Sequence, residues 1–243
     1  MAGREGAFIA EGEVVVRTLA SPASRHEVGS LLLAEKRVPA LQDVIDGLPE
    51  DTPVYVAAQA VMDAIVGFPI HRGVLALGRR APPVSAADLL DRLGPRAIVV
   101  GLGGVSNHDN VGGVFRNAAA FGADAVLLDG ACCDPLYRKA IRVSTGSALR
   151  VPFARTASAA AMANLLVGRG FDVLALSPVG AERLSDVRRP ERAAVLLGAE
   201  GQGLPPALLA RLRTVRIPMA GGVDSLNVAT TSGIVLHHLA AAG

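Results

Sequence analysis

No tryptophan occurs in the 243 residues, and the aromatic content is only 3%. Few rings are present on which nucleic-acid bases would stack. An excess of one charge sign is also missing: 24 Lys and Arg against 22 Asp and Glu give a formal net charge of +2. Any nucleic-acid role therefore rests on local patches and not on overall basicity. Cysteine is limited to the adjacent pair Cys132-Cys133. Neighbours in sequence rarely bridge, so reduced thiols and a cytoplasmic protein are expected. No run approaches the ~18 apolar residues of a membrane span. The opening MAGREGAFIAEGE lacks the apolar centre of a signal peptide. No His/Cys cluster has metal-ligand spacing, so no metal is expected.

What is present is ordinary for a globular chain: 51% hydrophobic and 19% charged residues argue against disorder. In the first 80 residues, helical spacing at 11–20, 38–48 and 58–68 alternates with apolar strand patterns at 30–34, 53–57 and 72–78. Paired prolines in RRAPPVSA (79–86) then stiffen a linker. This predicts a small α/β domain over 1–80, a linker and lead-in helix over 81–92, and a larger domain over 93–243. In the latter, 96–102, 123–129, 171–176, 193–198 and 214–218 read as strands. They are continuous apolar runs, as in a sheet covered on both faces. The fold class expected is α/β with a mostly parallel sheet, its ligands outside the carboxyl ends of the strands.

Three loops at those ends carry the polar residues. In GLGGVSNHDNVGGVFRNAAAFG (101–122) a strand ends and a helix begins near Asn110. Arg116 has Gly112, Gly113, Ala119 and Ala120 three and four positions away, so another backbone or a ligand can approach that face. GLGG with Asp129 ending the next strand partly matches a dinucleotide fingerprint. Ser106 stands where its third glycine belongs, and the polar loop is too long for a tight turn. In LLGAEGQGLPPALL (196–209), Glu200 sits among small residues that expose backbone to a ligand, and Pro205-Pro206 suits a helix start. In VRIPMAGGVDSLNVATT (215–231), Ser225 reads as an N-cap without a capping box, since Val228 stands three residues on.

Together these loops resemble the three motifs of the SpoU (TrmH) family of RNA ribose 2′-O-methyltransferases, in the family's order. RKAIRVSTGSALRVPF (138–153) is similar to that family as well, and the match covers about 96–240. The N-terminal unit resembles the small ribosomal-protein-like RNA-binding domain of many members. The resemblance implies a deep C-terminal trefoil knot, a homodimer packed through the knot-side helices, and S-adenosylmethionine held in the knot largely by backbone groups. Gly198, Ile217 and Leu226 correspond to cofactor-contacting positions, with Ala199, Gly203, Met219 and Val228 beside them. The small Ala-Thr-Thr-Ser-Gly stretch (229–233) would admit a threaded chain, the cofactor and a second subunit.

The implied reaction is attack of a ribose 2′-hydroxyl on the methyl group of a sulfonium. Arg116 is then the central catalytic residue, with Asn110, Glu200, Ser225 and Asn227 around it. A guanidinium hardly gives up its proton, so a clamp on phosphate or on the developing alkoxide is easier to defend than a base. Asn117 follows the arginine where many members carry a small or hydroxylated residue. Arg25-His26, Lys36-Arg37, His71-Arg72 and Arg79-Arg80 are candidate phosphate contacts. Cys132 and Cys133 are expected to pack, and His237 and His238 to be interface or surface residues. The expected partner is RNA, ribosomal before transfer RNA. A catalytically silent protein that binds RNA and S-adenosylmethionine is the alternative.

Overall fold

A computed structural model of the chain describes residues 6–67, 72–221 and 223–241. His71 of the candidate phosphate contacts and Gly222 of the third loop lie outside them. The chain forms two compact units, Met1–Pro82 with Pro135–Arg150, and Pro83–Asp134 with Val151–Gly243.

The first unit is built on β1 (Ala7–Glu11), α1 (Glu13–Ala20), β2 (Glu27–Ala34), α2 (Gln42–Asp46), β3 (Val54–Ala57), α3 (Gln59–Val66) and β4 (Val74–Arg79). Its sheet runs β1-β4-β2-β3, with β3 parallel to β2 and the other pairs antiparallel. On α1, Val15, Val16 and Leu19 are buried and Val14 is not, the i, i+1, i+4 pattern of one apolar face. The stretch 38–48, read as one helix, is a 3-10 turn at Pro39–Leu41 followed by a five-residue helix. Proline is tolerated in a first turn but not inside a helix. Strand β1 has no counterpart among the strands read from sequence. Its five residues end at Glu11, a buried carboxylate whose neutralisation comes from far along the chain.

The second unit begins with α4 (Ala86–Asp91), β5 (Ala97–Gly103), α5 (His108–Ala120) and β6 (Ala125–Leu128). The chain then passes into the first unit at α6 (Arg138–Val143), where Arg138 Nε donates to Glu11 Oε2 at 2.8 Å and Arg142 stands 3.9 Å from the same oxygen. Burying a carboxylate is tolerable only when it is so paired. It returns with β7 (Phe153–Arg155), α7 (Ala159–Val167), β8 (Asp172–Leu176), β9 (Glu182–Arg183), β10 (Arg192–Gly198), α8 (Pro206–Leu209), β11 (Arg213–Arg216) and α9 (Val228–Ala241).

All seven strands are parallel, in the order β7-β6-β5-β10-β8-β11-β9. Val99, Leu127 and Leu196 face a core shared with α4 and α7. Every residue of β5 and of β6 is buried, so the alternate residues are covered as well. That is the physical reason these strands read as unbroken apolar runs. β7 and β9 are three and two residues long, too short to leave a pattern. The strand order reverses where β10 enters between β5 and β8, and its last residue, Gly198, pairs with Gly103 at the end of β5. Such switch points leave a crevice at the carboxyl ends of the strands.

Candidate active site

A cleft of about 620 Å³ opens at that edge. Its walls are the end of β8 (Leu176–Pro178), the loop Leu197–Leu204, Ile217 and Met219 after β11, and Asp224–Val228 with Thr231 at the start of α9. All seven expected cofactor residues, Gly198, Ala199, Gly203, Ile217, Met219, Leu226 and Val228, line this one cleft. Glu200, Ser225 and Asn227 line it too. The size falls within the ~300–1,000 Å³ of small-molecule sites.

The loop after β10 is folded tightly on itself. Gly203 N donates to Ala199 O at 2.9 Å, and Gly201 and Gly203 hold φ of +78° and +65°, which glycine adopts without strain. A Cβ on Gly198 would lie 2.2 Å from the carbonyl carbon of Gly203. Small residues are thus required by the turn itself, and they leave main-chain polar groups at the cleft wall.

The polar side chains form a connected series. Asn227 Oδ1 accepts from Ala229 N (2.9 Å) and Thr230 N (3.2 Å), so Asn227 caps α9. The Ser225 N-cap expected from sequence is corrected accordingly: the helix starts three residues later, and Ser225 is exposed at the cleft. With its oxygen on the helix, the Asn227 amide nitrogen donates to Asn110 Oδ1 at 2.7 Å. Asn110 Nδ2 then donates to Glu200 Oε1 at 2.5 Å, to which Asn227 Nδ2 also points at 3.4 Å. Each amide is oriented by the one before it, and the series ends on a carboxylate. Asn110 itself is buried (4% exposed) one turn into α5, which is capped by Asn107 Oδ1 accepting from Asp109 N.

Arg116 is not brought into this group. It is exposed on α5 and does not line the cleft. Of its small neighbours, Gly113 meets α9, where an added Cβ would lie 2.6 Å from the Cβ of Ala229. The small residues of 229–233 have the same explanation: a close approach to α5. Asn117 is the residue whose importance sequence reading understated. Its Nδ2 donates to Ala229 O at 2.7 Å and to Ser232 Oγ at 2.9 Å. No local pattern signals a contact across more than 110 residues.

Cys132 is buried, accepting from Val105 N and donating to Leu102 O, and burial pushes its thiol up to about 12 and that of Cys133 to about 11. His237 stacks edge-on with Phe121, and His238 Nε2 lies 2.8 Å from Val187 O. His26 Nδ1 accepts from Ala81 N at 3.0 Å, a structural use of one candidate phosphate contact. Among the described residues no group of three or more His, Cys, Asp or Glu is placed to hold a metal ion, and no helix is long and apolar enough to cross a membrane.

The model of the SpoU rRNA methylase family matches residues 97–237, which hold the whole cleft. The chain belongs to the SpoU rRNA methylase family. Relatives named uncharacterised tRNA/rRNA methyltransferases occur in Mycobacterium bovis and Mycobacterium tuberculosis, each 42% identical over 97% of this chain and 81% of theirs. An AdoMet-bound rRNA methyltransferase from Sinorhizobium meliloti superposes with a TM-score of 0.80 at 24% identity, covering 96% of this chain and 86% of that one. The SpoU methyltransferase AviRb from Streptomyces viridochromogenes, in complex with AdoMet, gives 0.80 at 23%, covering 98% and 93%. A structure described as an RNA 2′-O ribose methyltransferase gives 0.79 at 26% identity, covering 98% and 89%.

Proposed function

We propose that this protein transfers a methyl group from S-adenosylmethionine to a ribose 2′-hydroxyl of RNA, with ribosomal RNA the substrate before transfer RNA. The observation that carries the reading is the Asn227–Asn110–Glu200 series at the mouth of a cleft lined by backbone-exposing glycines. The cleft fits the cofactor in volume and in the chemistry of its walls. The carbonyl and amide groups of the 198–203 loop suit an adenine edge, and Ile217, Met219, Leu226 and Val228 give it apolar surface. When bound, the sulfonium supplies an already electrophilic methyl group. The protein has to align the hydroxyl in line with it and manage one proton.

Glu200 accepts that proton and passes it to solvent. Asn110 occupies Oε1, and among the described residues no side chain donates to Oε2. Oε2 is therefore left to accept from the substrate hydroxyl at the cleft. Ser225, exposed in the same cleft, hydrogen-bonds the ribose. Arg116, exposed on α5 outside the cleft, is a permanent cation that holds a phosphate of the RNA beyond the cleft rim. The N-terminal unit adds RNA contacts through its basic residues, which position without reading sequence. The C-terminal segment forms the trefoil knot, and two copies pair through the knot-side helices, with the exposed Ile234 of α9 at the seam. The protein acts in a reducing compartment, where Cys132 and Cys133 remain thiols.

The test is methyl transfer from labelled S-adenosylmethionine to ribosomal and transfer RNA from a host lacking the enzyme, wild type beside Arg116→Ala and Glu200→Gln. Label in ribosomal RNA that both substitutions abolish is the expected result. A protein that binds the cofactor but labels neither RNA, free or in ribosomal particles, would be a silent binding protein and would overturn the reading.

A further inference from the structure

Asn117 lies outside the cleft and touches none of the groups assigned above, yet it makes a polar link between the two helices that supply Asn110 and Asn227. Asn110, Gly113 and Asn117 recur at three- and four-residue spacing and share one face of α5. Opposite them on α9 stand Ala229, Ser232 and Gly233. Gly113 lets the helices close against Ala229. One turn further, the Asn117 amide donates to Ala229 O (2.7 Å) and to Ser232 Oγ (2.9 Å), while Ser232 Oγ donates to the same Ala229 O at 2.7 Å. Ser232 is completely buried. An added Cβ on Gly233 would lie 3.2 Å from Asn117 Nδ2. The amide is held on both sides, by acceptors and by close packing.

The first turn of α9 is also a wall of the cleft, through Val228 and Thr231, and its cap is Asn227. A shift of α9 along α5 would therefore change two things together, the Asn227–Asn110 hydrogen bond and the cofactor wall. Dispersion between Gly113 and Ala229 sets how near the helices come, but apolar contact is non-directional. Hydrogen bonds are directional, so the Asn117 amide fixes where along its axis α9 stops.

We propose that Asn117 is a positioning residue for methyl transfer: its amide sets the register of α9 on α5 and so holds Asn227 against Asn110 and the α9 wall against the cofactor. The inference rests on the proposed function for its kinetic readout and not for its binding readout.

The experiment compares wild type, Asn117→Ala, Ser232→Ala and the double variant Asn117→Ala/Gly233→Ala in the full chain. Each is measured for melting temperature, calorimetric affinity for S-adenosylmethionine, and kcat and KM with RNA. A misplacement of about 1 Å costs up to ~100-fold in rate. The expected result for Asn117→Ala is a fall of about tenfold or more in kcat, a several-fold loss of cofactor affinity and little change in KM for RNA. The added methyl of Gly233→Ala refills the space left by the amide without its hydrogen bonds. It is expected to recover melting temperature but neither kcat nor cofactor affinity. Ser232→Ala removes one of the two acceptors and gives a smaller loss of the same kind. It carries the test if Asn117→Ala does not fold. Unchanged cofactor affinity and kcat in folded variants would overturn the inference. So would recovery of both along with melting temperature in the double variant, which marks mere packing. A wild type that binds the cofactor but labels no RNA defeats the reaction proposed above and leaves the inference to be decided on affinity alone. One that does not bind the cofactor defeats both.

Discussion

Asn227 Nδ2 donates to Asn110 Oδ1 at 2.7 Å, joining residues 117 positions apart at the point where α9 begins. The same side chain has its oxygen on the α9 amides, so one residue both starts a helix and orients the site. These duties separate on substitution. Asn227→Asp keeps a good cap, loses the donor to Asn110 and sets a second carboxylate beside Glu200. Its melting temperature should stay near wild type while methyl transfer falls by about 100-fold or more. Asn227→Ala should lose activity and about 1 kcal/mol of stability as well. Thermal melts beside turnover measurements separate the two.

Gly198 has no room for a side chain. The nearest atoms to an added Cβ are backbone, Gly203 C at 2.2 Å and Leu204 N at 2.3 Å. Gly198→Ala must therefore displace the loop that carries Glu200. Calorimetry should show S-adenosylmethionine affinity reduced by about tenfold or more, ~1.4 kcal/mol. Affinity equal to wild type would mean that this loop is not part of the cofactor site.

The thiols are predicted to be inert in the folded protein. Burial disfavours the thiolate, raising Cys132 to about 12 and Cys133 to about 11. Only the thiolate reacts. At pH 8 iodoacetamide should modify neither cysteine in the native state and both after unfolding. Fast native labelling would show that the 129–134 turn opens.

Acid should loosen the second unit through Arg213. Its guanidinium donates to Glu182 at 2.7 and 2.8 Å and to Asp172 at 2.5 Å, and holds the Glu182 carboxyl below its ordinary range. Arg169 does the same to Asp91. A depressed carboxylate contributes stability above its unfolded pKa, about 4. That contribution is lost as pH falls through the lower folded value. Melting temperature should thus drop between about pH 5 and 3. The gap between wild type and Arg213→Ala should narrow over that range. A gap that stays constant would show that the Glu182–Arg213 pair does not cause the loss.

The sequence showed the cleft more completely than it showed the contacts behind it. Gly198, Glu200, Gly203 and Asn227 were legible because their chemistry is local: glycines where backbone must turn, and polar residues at strand ends where a parallel sheet leaves a crevice. The buried strands were legible because apolar runs persist over five to seven residues. Short β7 and β9 leave no such run. The Ser225 cap failed because Asn227, two residues on, is as good a capping residue, and sequence alone does not rank them. The motif groups Arg116 with the others, whereas its helical position turns it away from Asn110 and Asn117. The α5–α9 seam, with Gly113 against Ala229 and Asn117 on Ser232, depends on tertiary docking that no window of the sequence contains.

In the proposed reaction the methyl acceptor is a ribose hydroxyl. RNA labelled with radioactive methyl by this protein should be hydrolysed completely in alkali and its products separated by charge. A 2′-O-methyl group blocks cleavage of the adjoining linkage, so the label should run as an alkali-resistant dinucleotide. Label confined to mononucleotides would place the methyl group on a base and rule out ribose methylation.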